Sequence, residues 1–186
     1  MEWKPGRNPI SIIQIASKNT VALFYIQKLG EIPDGLVNLL TNKNIIKVGC
    51  GMLEDGKRLY NEFGIEIDCD SWIDVQALAQ QVDHLPLCGL KSLCEIYLGA
   101  YLDKRMAASN WSNRVLSPEQ VIYAATDAWV VRHLLWSAFL KPTINGFKHD
   151  WSDCLSNKMA ERISFIVKQT QKLFDSPINK TEMNIY

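Results

Sequence analysis

The segment SPEQVIYAATDAW, residues 117 to 129, constrains the fold more than any other stretch of the chain. Ser117 is an N-cap residue, Pro118 takes the first helical position, where its missing N–H costs nothing, and Gln120 stands three residues after the cap, as in a capping box. The run that follows is apolar apart from Asp127, whose helical neighbours Tyr123, Ala124, Val130 and Val131 carry no positive charge. Tyr123 and Asp127 are four apart, so both side chains lie on one face of the helix. A carboxylate turned toward a core is paired, hydrogen-bonded or bound to a cation. Unless that face meets solvent, the fold must bring a counter-charge to Asp127 from elsewhere.

The rest of the sequence supplies short strands first and helices later. SIIQIAS (11 to 17) and VALFYI (21 to 26) flank a three-residue turn and read as a hairpin. Pro33 to Leu40 reads as a short helix, and NIIKVGCG (44 to 51) as a buried strand that ends in glycines and leads into a helix over about 54 to 62. A strand at 73 to 75, a helical stretch to Gln81 and a helix over 90 to 99, capped by Gly99, follow. Residues 110 to 116 read as loop. Beyond Leu140, residues 141 to 157 read as a linker and 159 to 174 as an appended helix with Met159, Ile163, Ile166 and Leu173 on one side. This order predicts an α/β or α+β domain with a mixed sheet over residues 1–140, followed by a linker and appended helix over 141–186.

Composition narrows the class. At 186 residues, with 47% hydrophobic and 22% charged, the chain suits one globular domain with an appendage; two full domains would be cramped. No apolar run is long enough to cross a bilayer, and MEWKPGRNP lacks the apolar core of a signal peptide. Five cysteines without CxxC spacing suit reduced thiols and argue against a zinc site, so an intracellular location is expected. Lys+Arg and Asp+Glu balance at 20 each, so any nucleic-acid surface must be a local patch.

Other candidate residues are weaker singly. Asp55 opens a helix after a strand and glycines; the helix dipole alone explains a carboxylate there, yet ligands also bind at strand ends in α/β sheets. GMLEDGKR (51 to 58) imitates a phosphate-binding loop, but Arg58 replaces the hydroxyl residue and Glu54 and Asp55 would repel phosphates, so it reads as a decoy. Asp74 reads as a cap or loop anchor. Lys104, Arg105 and Arg114 bracket Ser109, Asn110 and Trp111, forming a basic, partly aromatic loop that offers phosphate contacts, although a solvated loop is the plainer reading. His84, His133 and His149 show no ligand or triad spacing.

Together, KVGCGMLED, LKSLCEIYLG, SNWS and SPEQVIYAATDAW, in this order and spacing, resemble the Werner-type, RNase D-like 3′-to-5′ exonucleases of the DEDDy class over residues 2 to 140. The resemblance implies an RNase H-like fold and hydrolysis of DNA or RNA from the 3′ end, releasing nucleoside monophosphates. It implies two divalent metal ions, Mg2+ or Mn2+, held by carboxylates. By this resemblance Glu2, Asp55 and Asp127 are metal ligands, Tyr123 orients the attacking water, and Lys104, Arg105, Asn110, Trp111 and Arg114 contact nucleic acid. A helicase partner and a nuclear rather than cytoplasmic location follow as further expectations. A non-catalytic binding or scaffold module on the same fold is the alternative.

One position departs from the pattern. The family's first motif is Asp-x-Glu, commonly followed by Trp; here Met1, Glu2 and Trp3 fill the last three places, and the aspartate would stand one residue ahead of Met1. Its absence is expected to weaken metal binding, lower the rate and leave neighbouring strands partly unpaired. Three readings stay open: a fragment or wrongly started product, a short form that only binds, or weak activity from Glu2, Asp55 and Asp127, most readily with manganese.

Overall fold

A computed structural model of the chain describes residues 1–2, 9–140, 161, 163 and 164. Strands β1 (Ile13–Ala16) and β2 (Val21–Phe24) form the expected antiparallel hairpin, with Ile13 opposite Phe24 and Ala16 opposite Val21. A one-turn helix α1 (Ile26–Leu29) ends at Gly30, whose φ of 77° closes the turn without Cβ strain. Helix α2 (Asp34–Thr41) buries Leu36 and Leu40 against Ile10, Ile13 and Ile26. Strand β3 (Lys47–Gly49) then runs into helix α3 (Met52–Phe63) through Gly51, and strand β4 (Trp72–Asp74) returns parallel to β3.

Helices α4 (Val75–Val82) and α5 (Leu90–Leu98) cover one side of α6 (Pro118–Leu134), which continues as a π-helical stretch over Leu135–Leu140. Leu78, Leu93, Val131, Leu134 and Phe139 form the centre of this core, and Ile163 is buried in it. Helix α6 also packs across β1, β2 and β3. It is therefore the element to which both pairs of strands are fixed.

The architecture is mixed α/β, as expected, with two departures in detail. The 44–51 strand is regular only over Lys47–Gly49, and α3 begins at Met52 rather than 54. The mixed sheet is divided: among the described residues β1–β2 and β3–β4 are separate two-stranded units, and beyond β2 the hairpin meets one antiparallel bridge, Glu2 to Ile12. The expected linker, most of the 159–174 helix, and Trp3 lie outside the described residues. Among the described residues no helix is long and apolar enough to cross a membrane.

Candidate active site

The capping box at the start of α6 does more than begin a helix. Ser117 Oγ accepts the Gln120 N–H at 3.2 Å, and Gln120 Oε1 accepts the Ser117 N–H at 3.0 Å. The Gln120 side chain is buried, and its Nε2 donates to Ser109 Oγ at 2.9 Å and to the Asn110 carbonyl at 3.1 Å. One side chain thus starts the helix and fastens the preceding loop to it.

Trp111 lies at the end of that loop with 0% of its surface exposed. Its indole Nε1 donates to the Ala107 carbonyl at 3.3 Å, and its ring lies 5.8 Å from that of Tyr123, in a small core shared with Ile12 and Ala124. The expectation that Trp111 touches nucleic acid is corrected by this burial: an aromatic packed on all sides has no face to offer a base, and it supports Tyr123 instead. Asn110 is exposed but engaged, donating to Asn113 Oδ1 and accepting from the Ser112 N–H. Arg105 is exposed and clasps Asp103, while Arg114 is exposed.

Lys104 supplies the counter-charge that Asp127 lacks on its own helix. Its Nζ lies 3.3 Å from Asp127 Oδ2 and 3.2 Å from the Tyr123 hydroxyl, and 5.4 Å from the Tyr123 ring centre. Tyr123 and Asp127 therefore do share a face, and that face is turned inward. The other carboxylate oxygen, Asp127 Oδ1, is buried with no hydrogen-bond partner. Burial and the nearby Asp127 charge push the Tyr123 hydroxyl well above the usual phenol range, so it stays protonated and can donate.

Asp55 and Glu2 face the same cleft, of about 610 Å3, whose lining also includes Lys104 and Asp127. Asp55 sits in the first turn of α3, and Asp74 fixes where that turn begins. Its carboxylate accepts N–H groups from Gly51 at 3.1 Å, Met52 at 2.8 Å and Gln76 at 3.0 Å, so it caps α4 and anchors the β3–α3 turn as expected. The Met1 amino group lies 3.6 Å from Asp55 Oδ2. Glu2 Oε1 accepts a long bond from Gln14 Nε2 at 3.4 Å. Burial raises the Asp55 carboxyl, partly offset by the Met1 ammonium. Burial likewise pushes Glu2 up to about 7, with the Met1 ammonium opposing and Asp127 adding to the rise.

This donor set suits a hard divalent ion, which prefers carboxylate oxygens, and the orphaned Asp127 Oδ1 is a ready ligand atom. Lys104 stands where such an ion would balance Asp127. Among the described residues, no three His, Cys, Asp or Glu side chains are yet gathered around one point. The phosphate-loop imitation fails in structure as well: Gly56 and Lys57 lie inside α3, Lys57 pairs with Glu54 at 2.7 Å, and a Cβ on Gly56 would stand 2.8 Å from the Trp72 ring. Gly56 serves close helix–strand packing. Cys50 also lines the cleft, but burial pushes its thiol up to about 12, which excludes it as a thiolate nucleophile near neutral pH.

Comparison with known proteins agrees with this geometry. The chain is 36% identical over 126 residues to the Drosophila melanogaster exonuclease 3′-5′ domain-containing protein 2, covering 66% of this chain and 21% of that one. It is 36% identical over 138 residues to the mouse bifunctional 3′-5′ exonuclease/ATP-dependent helicase WRN, covering 69% of this chain and 10% of that one. The chain thus spans about a fifth of the first relative and a tenth of the second. The crystal structure of Escherichia coli RNase D superposes with a TM-score of 0.68 at 26% identity, covering 91% of this chain and 43% of that chain, and its fold is RNase H-like. Domains of this kind are metal-dependent. The 3′-5′ exonuclease family profile matches residues 1–142, and the chain belongs to that family.

Proposed function

We propose that the domain hydrolyses the terminal phosphodiester bond at the 3′ end of DNA or RNA, using Glu2, Asp55, Asp127 and Tyr123. The observation that carries this reading is that Asp127, with one carboxylate oxygen unpartnered and with Tyr123 sharing its Lys104 contact, lines a single cleft with Glu2 and Asp55. Asp127 and Asp55, with Glu2, would hold two divalent ions, which when bound supply Lewis acidity and a more acidic water. Tyr123, kept protonated, holds an oxygen of the attacking water or the phosphate by hydrogen bond. Water adds to phosphorus, the bond to the 3′ oxygen of the preceding nucleotide breaks, and that oxygen takes up a proton as the nucleoside monophosphate leaves. Lys104, Arg105, Asn110 and Arg114 would supply phosphate and sugar contacts.

A non-catalytic nucleic-acid-binding module is the second reading, favoured by the Lys104 ammonium now resting on Asp127. A 5′-labelled oligonucleotide, single-stranded or recessed, incubated with the 186-residue chain and Mg2+ or Mn2+, separates the two. The exonuclease reading expects a ladder shortening from the 3′ end, lost in Asp127→Ala and slowed about a hundredfold in Tyr123→Phe. Metal-independent binding without shortening supports the module instead, and full cleavage by Asp127→Ala rules out the site assignment.

A further inference from the structure

Lys104 is held by its backbone and left loose at its tip. Its carbonyl accepts the Ala107 N–H at 3.1 Å, and the next residue, Arg105, clasps Asp103. The ammonium contacts are long by comparison, 3.2 Å to Tyr123 and 3.3 Å to Asp127, against about 2.7–2.9 Å for a well-formed ammonium–carboxylate bond. The Lys104 side chain is 35% exposed while that of Asp127 is 11% exposed, so the lysine reaches inward from the solvent side. Its four-carbon stem can withdraw along that path without any change in the loop.

We infer that Lys104 is a displaceable counter-ion, a positioning residue that keeps Asp127 and Tyr123 aligned in the metal-free protein and must leave Asp127 when a divalent cation binds. The inference rests on the reading of Asp127 as a metal ligand. The physical case is competition for one carboxylate, with Lys104 on Oδ2 and the unpartnered Oδ1 open to the ion. A divalent ion on Asp127 and an ammonium 3.3 Å from its Oδ2 would stand within a few ångströms of each other, where like charges repel strongly in a partly buried site. Only the fraction of molecules with Lys104 withdrawn is ready for the ion, so the observed affinity is the intrinsic affinity reduced by that fraction. The arrangement also keeps Asp127 from being an uncompensated buried charge, since Lys104 neutralises it until the ion arrives.

The test is Mn2+ binding to the 186-residue chain, followed by calorimetry, for wild type, Lys104→Met, Lys104→Arg and Asp127→Asn. Lys104→Met keeps the length of the stem without the charge and is expected to bind Mn2+ about tenfold more tightly, while its metal-free melting temperature falls. Lys104→Arg keeps the charge and is expected to stay within about twofold of wild type. Weaker or unchanged binding in Lys104→Met, with Asp127→Asn binding lost, overturns the counter-ion role and leaves the metal site standing. Wild-type binding in Asp127→Asn overturns the metal-ligand reading itself. If Lys104→Met does not fold, Lys104→Gln carries the same expectation and the same refuting outcome.

Discussion

Replacing Asp74 by alanine removes one carboxylate from three backbone N–H groups, at 3.1 Å (Gly51), 2.8 Å (Met52) and 3.0 Å (Gln76). Hydrogen bonds to a charged group contribute about 1.5–3 kcal/mol each, and an N-cap alone about 1 kcal/mol. Asp74 is only half-buried, so water satisfies part of what is lost. Taking about 1 kcal/mol per bond, Asp74→Ala should cost about 3 kcal/mol. Asparagine keeps the oxygen that serves Gly51 and Gln76 but sets an amide donor against the Met52 N–H. Asp74→Asn should therefore cost about half as much, roughly 1.5 kcal/mol. At about 3 °C per kcal/mol, the melting temperature should drop by about 9 °C for alanine and 4–5 °C for asparagine. Urea unfolding followed by tryptophan fluorescence gives the free energies directly. A loss below about 1 kcal/mol in the alanine variant, or equal losses in the two, would refute the idea that this carboxylate fixes the β3–α3 turn.

Trp111→Ala should destabilise the fold by about 3–5 kcal/mol, because a fully buried indole leaves a cavity beside Tyr123, whereas Trp111→Phe should lose far less. A stable Trp111→Ala protein with weakened oligonucleotide affinity would instead mark the ring as a substrate contact. Glu2 carries a pH signature in the metal-free protein. Its folded carboxyl is raised from 4.5 to about 7, so the folded state holds a proton that the unfolded state has released, and this stabilisation is complete below pH 4.5 and lost as pH rises toward 7. The folding free energy in chelator should fall across that window by at most about 3 kcal/mol, lowering the melting temperature with it, and Glu2→Gln should flatten the slope. An unchanged slope in Glu2→Gln would assign the effect to another group.

Helix α6 was legible from its first four residues because capping is local chemistry: Ser117, Pro118 and Gln120 satisfy or omit the N–H groups that any helix start leaves over. The hairpin, α5 with its Gly99 cap, and the anchoring role of Asp74 were legible for the same reason. The division of the sheet into two pairs depends on long-range strand pairing, which no local pattern encodes. At the site, the spacing of Tyr123 and Asp127 announced a shared face, but not its partner. Lys104 lies 23 residues before Asp127 in a loop without periodicity, so only the fold could bring the two together. Trp111 was misread because a tryptophan between basic residues looks alike in sequence whether its ring points out to a base or in to a tyrosine.

The bonds from Gln120 to the Ser109 hydroxyl and the Asn110 carbonyl tie the loop's motion to the helix's own fraying. A loop held only by its own contacts would open on its own, exchanging amide hydrogens quickly while the helix stayed protected. Here the side chain that closes the first turn of α6 also closes the loop, so the amides of Ser112 and Gln120 should exchange as one unit. The loop that carries Lys104 and the helix that carries Tyr123 and Asp127 are thereby joined at one side chain, so the backbone around the site opens as a unit while the Lys104 tip still moves on its own.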